Sequence, residues 1–185
     1  MVPAVKITVM SIGLDIKLFW VNRSHVKDIR ALDGDEATPI GATPPLLHPG
    51  ERALAYVEHV QRLRARGLQA TFAIRAADQF VGLIALAREP EAPARAELGY
   101  RIGLPYRGRG YATAAVARIL EHGFRRMRLA VVVARCQAEN PASARVLEKL
   151  AFRFIGPEVT HDRAGSGVRR YELTGPEWRR RPAPG

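Results

Sequence analysis

The stretch Ala96-Glu97-Leu98-Gly99-Tyr100-Arg101-Ile102-Gly103-Leu104-Pro105-Tyr106-Arg107-Gly108-Arg109-Gly110-Tyr111-Ala112 decides how this chain folds. Ala96–Leu104 has the short, bounded pattern of a strand. From Ala112 to Met127 the period changes: Ala112, Val116, Ile119, Leu120, Phe124 and Met127 fall on one helical face. Leu129–Cys136 (LAVVVARC) is then a nearly continuous apolar run, the pattern of a strand buried on both faces. Strand, helix and strand in this order predict a parallel pair joined by a right-handed crossover.

Outward from this unit the signals are shorter. Thr71–Arg75 and Phe80–Leu86 predict an antiparallel hairpin around Ala76–Gln79, followed by a loop over Glu89–Arg95. Leu54, Val57, Val60 and Leu63 place a helix over Glu51–Arg66, with Gly67 as its C-cap. Upstream, Pro39, Pro44, Pro45 and Pro49 predict a loop over Thr38–Gly50. Val5–Val9 alternates like a first strand, and Leu14–Val21 fits either a second strand or a helix start. Downstream, a helix over Pro141–Leu150 precedes a hairpin of Phe152–Ile155 with Val168–Leu173 around the turn Gly165–Gly167. The Arg/Pro-rich tail Gly175–Gly185 is expected to fray, with Trp178 able to dock back on the sheet. This is an α/β chain read as one domain over residues 1–174 and a tail over 175–185.

With 185 residues, 47% hydrophobic and 25% charged, the composition is that of an ordinary globular domain and excludes disorder and fibre. The lone Cys136 rules out an internal disulfide and a cysteine cluster for metal, so no metal site is expected. No apolar run reaches the ~18 residues of a membrane span, and no leader pattern is readable, which together predict a cytoplasmic protein without a membrane partner. The formal charge of +11 rests on 29 basic residues, of which only Lys6, Lys17, Lys27 and Lys149 are lysines. Such a field favours an anionic partner without saying what carries the negative charge.

The chemistry concentrates between the predicted strand and helix. A loop there can aim backbone N–H groups and the positive helix end at a phosphate. Gly108 and Gly110 allow unusual φ and close approach, and Arg107 and Arg109 add charge-assisted hydrogen bonds. A plain tight turn accounts equally well for Gly-x-Gly, and neither a dinucleotide fingerprint nor a P-loop lysine is present.

Around this loop the sequence resembles the GNAT family of acetyl-coenzyme A-dependent N-acetyltransferases, whose loop pattern Gln/Arg-x-x-Gly-x-Gly/Ala is filled by Arg107, Gly110 and Ala112. Leu98-Gly99-Tyr100-Arg101-Ile102 and Asn140-Pro141-Ala142-Ser143-Ala144-Arg145-Val146-Leu147-Glu148-Lys149-Leu150-Ala151-Phe152 resemble the branch containing the ribosomal-protein alanine N-acetyltransferases. The likeness covers about Thr71–Leu173. It departs at Ala151, where the branch has glycine, and at Ala114 or Ala115, where an acidic residue is common.

The resemblance implies a mixed, mostly antiparallel sheet with a splayed parallel strand pair and flanking helices. It implies acetyl-coenzyme A as cosubstrate, its arm against the backbone of Ile102 and Leu104 and near Asn140. Its pyrophosphate is expected on Arg107, Gly108, Arg109, Gly110, Tyr111 and Ala112. It further implies direct acetyl transfer to a primary amine, either a protein N-terminus or a small amine, with no covalent acyl-enzyme. Ser143 is the candidate donor to the departing thiolate and Glu97 the candidate acceptor of the amine proton.

Each residue also has a plain structural reading. Asn140 before Pro141 is a helix cap; Ser143 can bond backbone; Glu97 can be an ordinary strand-end carboxylate; Cys136 packs as a small hydrophobe. Tyr100 and Tyr106 read as packing aromatics, Arg145 and Lys149 as a solvated helix face, and His48, His59, His122 and His161 as surface positions. Two other functions compete: a basic nucleic-acid-binding domain, supported by the net charge and Arg179–Arg181, and a non-catalytic acyl-coenzyme A-binding regulator. A ribosome or ribosomal protein is a candidate partner and a homodimer a candidate assembly. Acceptor specificity is expected from Ala37–Gly50 and Val159–Val168.

Overall fold

The computed structural model describes residues 14–33, 49–158 and 167–180. Seven strands form one sheet: β1 (Ile16–Trp20), β2 (Gln69–Ala76), β3 (Gln79–Glu89), β4 (Ala92–Ile102), β5 (Val131–Gln137), β6 (Arg153–Glu158) and β7 (Val168–Thr174). Their order is β1-β2-β3-β4-β5-β7-β6. The β4–β5 pair is parallel and the other five pairs are antiparallel. The helices are α1 (Val26–Asp33), α2 (Pro49–Ala65), α3 (Tyr111–Glu121), α4 (Pro141–Lys149) and α5 (Gly175–Arg180).

Strand alternation sorts the core onto two faces. Phe72, Ile74, Ile84, Leu86 and Leu98 pack with Ile119 and Leu120 of α3 and Leu147 of α4. Ala73 and Leu83, one step out of phase, pack with Ile29 and Leu32 of α1 and Val57 and Val60 of α2. The sheet is therefore covered by one helix pair on each side.

Several expectations are corrected. Leu14–Val21 resolves as a strand, because Ile16 and Leu18 alternate into the core. Helix α2 starts at Pro49 rather than after Gly50, since proline at a helix start gives up an N–H that would have no partner anyway. The expected loop Glu89–Arg95 is a tight connection: β3 runs to Glu89 and β4 begins at Ala92. Strand β4 ends at Ile102, and Leu104–Tyr106 form a single 3-10 turn. After Glu121, α3 widens into a π turn over His122–Arg126, with Met127 N–H bonded to the His122 carbonyl. The tail does not fray through Arg180; α5 docks because Trp178 stacks on Phe124, ring centroids 5.2 Å apart. His122 is not on the surface: its ring meets Trp20 and Phe72 edge-on at 5.6 and 5.3 Å. The expected strand Val5–Val9, residues 38–48 of the proline loop and residues 165 and 166 of the closing turn lie outside the described residues.

Two turns rest on left-handed residues that are not glycine. Ala77 and Asp78, at φ +44° and +62°, make the two-residue turn between β2 and β3. At the end of α4, Ala151 N–H bonds the Glu148 carbonyl and Phe152 N–H the Leu147 carbonyl, both at 3.0 Å, a Schellman motif whose left-handed position is Ala151, φ +61°.

Candidate active site

The parallel pairing of β4 with β5 runs only from Arg95↔Val131 to Leu98↔Ala134. Beyond Leu98, β4 continues against β3 through Ile102, while its other edge has left β5. Gly103 N–H donates to the Val81 carbonyl at 3.0 Å, so strand alternation turns the backbone groups of Tyr100 and Ile102 away from β3 and into the gap. The gap is a V, with β4 backbone that pairs with no strand along one wall.

Its open end meets the start of α3. Gly110 is the N-cap of that helix at φ +82°, with no side chain capping it, and Gly108 is also left-handed at φ +74°. The N–H groups of Tyr111, Ala112 and Thr113 have no carbonyl to bond within the helix, and the helix dipole adds positive potential there. A Cβ at Gly110 would stand 3.0 Å from Leu14 Cδ1. Arg107 folds its Nε onto the Ile102 carbonyl at 3.0 Å, anchoring the guanidinium at the mouth of the gap. Arg107, Gly108, Arg109 and Gly110 are exposed, Tyr111 and Ala112 half-buried. Leu104 is 52% exposed and lies past the strand, in the 3-10 turn.

The far wall is the start of α4. Asn140 Oδ1 accepts the Ser143 N–H at 3.0 Å, so Asn140 is a helix cap here, followed by Pro141 at the first helical position. Ser143 Oγ lies 2.8 Å from the Tyr100 hydroxyl. Cys136 lies two residues past Ala134, the last β5 residue paired with β4, and its thiol also reaches Ser143. Burial pushes the Tyr100 phenol up to about 12, opposed by the Ser143 hydrogen bond, and burial also raises the Cys136 thiol. Tyr100, read from the sequence as packing, is thus part of the polar floor of the gap. The signal was its alternation: it shares a strand face with Leu98 and Ile102, toward α3 and α4.

Glu97 is not brought to Ser143. It stands three residues before Tyr100, on the opposite face of β4, and its Oε2 lies 3.0 Å from Arg135 Nη1. Arg135 Nε in turn binds Glu158 Oε2 at 2.7 Å. The Glu97 and Arg135 side chains keep 24% and 33% of their surface in solvent. Arg145 and Lys149 are exposed, as a solvated face requires.

An uncapped helix start beside splayed parallel strands matches what comparison with known proteins finds. The acetyltransferase (GNAT) domain family matches residues 17–153. The uncharacterized N-acetyltransferase YnaD of Bacillus subtilis (strain 168) is 42% identical over 60 residues, 32% of this chain and 35% of that protein. The uncharacterized N-acetyltransferase p20 of Bacillus licheniformis is 29% identical over 83 residues, 45% and 47% of the two chains. The chain thus spans about a third to a half of the curated relatives it matches. Among solved structures, RimJ of Mycobacterium smegmatis in complex with a coenzyme A disulfide superposes with TM-score 0.76 at 24% identity, over 88% of this chain and 83% of that one. The ribosomal L7/L12 α-N-protein acetyltransferase RimL, solved with coenzyme A in a cysteine disulfide, gives 0.75 at 20%, over 88% and 95%. A spermidine N-acetyltransferase chimera from Vibrio cholerae also gives 0.75 at 20%, over 90% and 99%. At these identities the structures show the fold, and the family match carries the assignment. The chain belongs to the GNAT acetyltransferase family.

Proposed function

We propose that this protein moves the acetyl group of acetyl-coenzyme A directly to a primary amine, either a protein N-terminus of the ribosomal-protein type or a small amine. The observation that carries this is the uncapped start of α3, two left-handed glycines included, opening on the gap between β4 and β5. The N–H groups of Tyr111 and Ala112, with Arg107, Gly108, Arg109 and Gly110 around them, hold the pyrophosphate. The backbone of Ile102 pairs the pantetheine arm, and Leu104 and Asn140 flank it. The β4 edge also offers N–H groups to the thioester oxygen as negative charge develops there.

Glu97 and Ser143 then have opposite places. The sulfur departs toward Ser143 on the α3/α4 face, and a water held by Glu97 takes the amine proton on the other face. At pH 7, stripping the proton from an α-amine costs about 1 kcal/mol, against roughly 4.6 kcal/mol for a lysine-like amine. The cheaper proton removal favours an N-terminal acceptor.

Calorimetric titration with acetyl-coenzyme A, beside Gly110→Val, tests the reading. Saturable one-site binding that the variant loses, together with acetylation of an N-terminal peptide or spermidine seen by mass spectrometry, is the expected result. A folded protein that binds no acetyl-coenzyme A would overturn it.

A further inference from the structure

Ser143 Oγ has a neighbour to which the chemistry above assigns no task. The Tyr100 hydroxyl, 2.8 Å away, joins the β4 wall of the gap to the α4 wall. Its ring packs against the α3/α4 core, so the hydroxyl is held from behind. Either oxygen can donate across this contact, and the Tyr100 hydroxyl also lies 3.5 Å from the Ser143 carbonyl; the more acidic phenol is assigned as the donor and Ser143 Oγ as the acceptor. The hydrogen of Ser143 is then left to point elsewhere. In this structure the sulfur within its reach is that of Cys136, which is only 7% exposed on the adjoining wall.

We infer that Tyr100 is a positioning residue for acetyl transfer: by donating to Ser143 Oγ it aims the Ser143 hydrogen at sulfur across the gap, where the thiolate of coenzyme A departs. This rests on the reading of the gap as the acetyl-coenzyme A site. In the step itself the amine nitrogen bonds the acetyl carbon and the carbon–sulfur bond breaks, its electron pair leaving on sulfur. The amine's surplus proton passes to water, and water later protonates the thiolate. Ser143 supplies a hydrogen bond to the sulfur, and Tyr100 and Ser143 end as they began. With its phenol pushed up to about 12, Tyr100 keeps its own proton throughout. The effect is one of direction: a serine rotor with its acceptor side filled has fewer ways to turn its hydrogen from the sulfur.

The test compares Tyr100→Phe, Ser143→Ala and the double variant in the full chain, with acetyl-coenzyme A and whichever of spermidine or an N-terminal peptide the wild type acetylates. Phenylalanine keeps the ring packing, and a thermal melt confirms the fold of each variant. Loss of one transition-state hydrogen bond predicts kcat falling about tenfold in Ser143→Ala and about fivefold in Tyr100→Phe, with KM for acetyl-coenzyme A within about twofold. The double variant should be no slower than Ser143→Ala, since Tyr100 acts only through Ser143. An unchanged kcat in Tyr100→Phe, or losses that multiply in the double variant, would overturn the inference while leaving the transferase reading intact. Absence of acetyl-coenzyme A binding by the wild type would bring down both.

Discussion

Arg135 stands between two carboxylates, 3.0 Å from Glu97 and 2.7 Å from Glu158, on the face of the sheet opposite Ser143. Glu97 is therefore already hydrogen-bonded before any acceptor arrives. As a proton acceptor through water it matters most where the amine is mostly protonated. Glu97→Gln should cost about tenfold in kcat/KM for an N-terminal peptide at pH 7, and the deficit should close by about pH 9, where the α-amine is neutral without help. Full activity of the variant at pH 7 would remove Glu97 from the mechanism.

Arg107 spends its Nε on the Ile102 carbonyl, which leaves the remaining guanidinium N–H groups for an anion at the mouth of the gap. Lysine has neither the fork nor the reach to do both. Arg107→Ala and Arg107→Lys should therefore raise KM for acetyl-coenzyme A alike, by about tenfold each, with kcat little changed. Rescue by lysine would mean that charge alone is used there.

Ala151 occupies the left-handed position of the Schellman motif closing α4. A Cβ in that conformation costs roughly 1–2 kcal/mol, part of which glycine gives back in backbone entropy. Ala151→Gly should stabilise the protein by about 1 kcal/mol and raise Tm by about 2–4 °C, without altering KM. A lower Tm would show that the turn is not set by this residue.

His122 is held below its ordinary value by burial first, then by Arg126 and Arg64, the latter lying over Trp20 at 3.8 Å. Because the unfolded chain binds the proton more readily, the folded protein loses stability as pH falls below about 6.5, until the folded-state value is passed. His25, also lowered by burial, adds to the same slope. Thermal melts between pH 7.5 and 5.5 should show a falling Tm, less steep in His122→Phe, which keeps the aromatic contacts. An equal slope in that variant would locate the effect elsewhere.

How much of this was legible in the sequence depends on how far apart the interacting residues lie. The apolar run at Leu129–Cys136 and the helical spacing after Ala112 carry the strand-helix-strand unit, because period and burial are local properties. Asn140-Pro141 marks the α4 start for the same reason. What was not legible arises from long-range register. That Tyr100 meets Ser143, 43 residues on, needs the β4–β5 register and the place where it stops. Trp178 docks through Phe124, and His122 is half-buried against Trp20 on the far edge strand, neither of which any local pattern reports. Arg135 looked like one more arginine in a basic chain until its two carboxylates were in place.

Strand β7 is threaded between β5 and β6, so β6 pairs only with β7 and β5 pairs on that side with β7 as well. As the chain is synthesised from its N-terminus, β5 and β6 both emerge before the strand that joins them. Until Val168–Thr174 follows, β5 carries an open edge that includes Val131, Val132 and Val133, a template for pairing with another nascent chain. Residues 168–174 thus govern when the sheet can close, and a ribosome stalled before them would hold an unclosed, association-prone sheet.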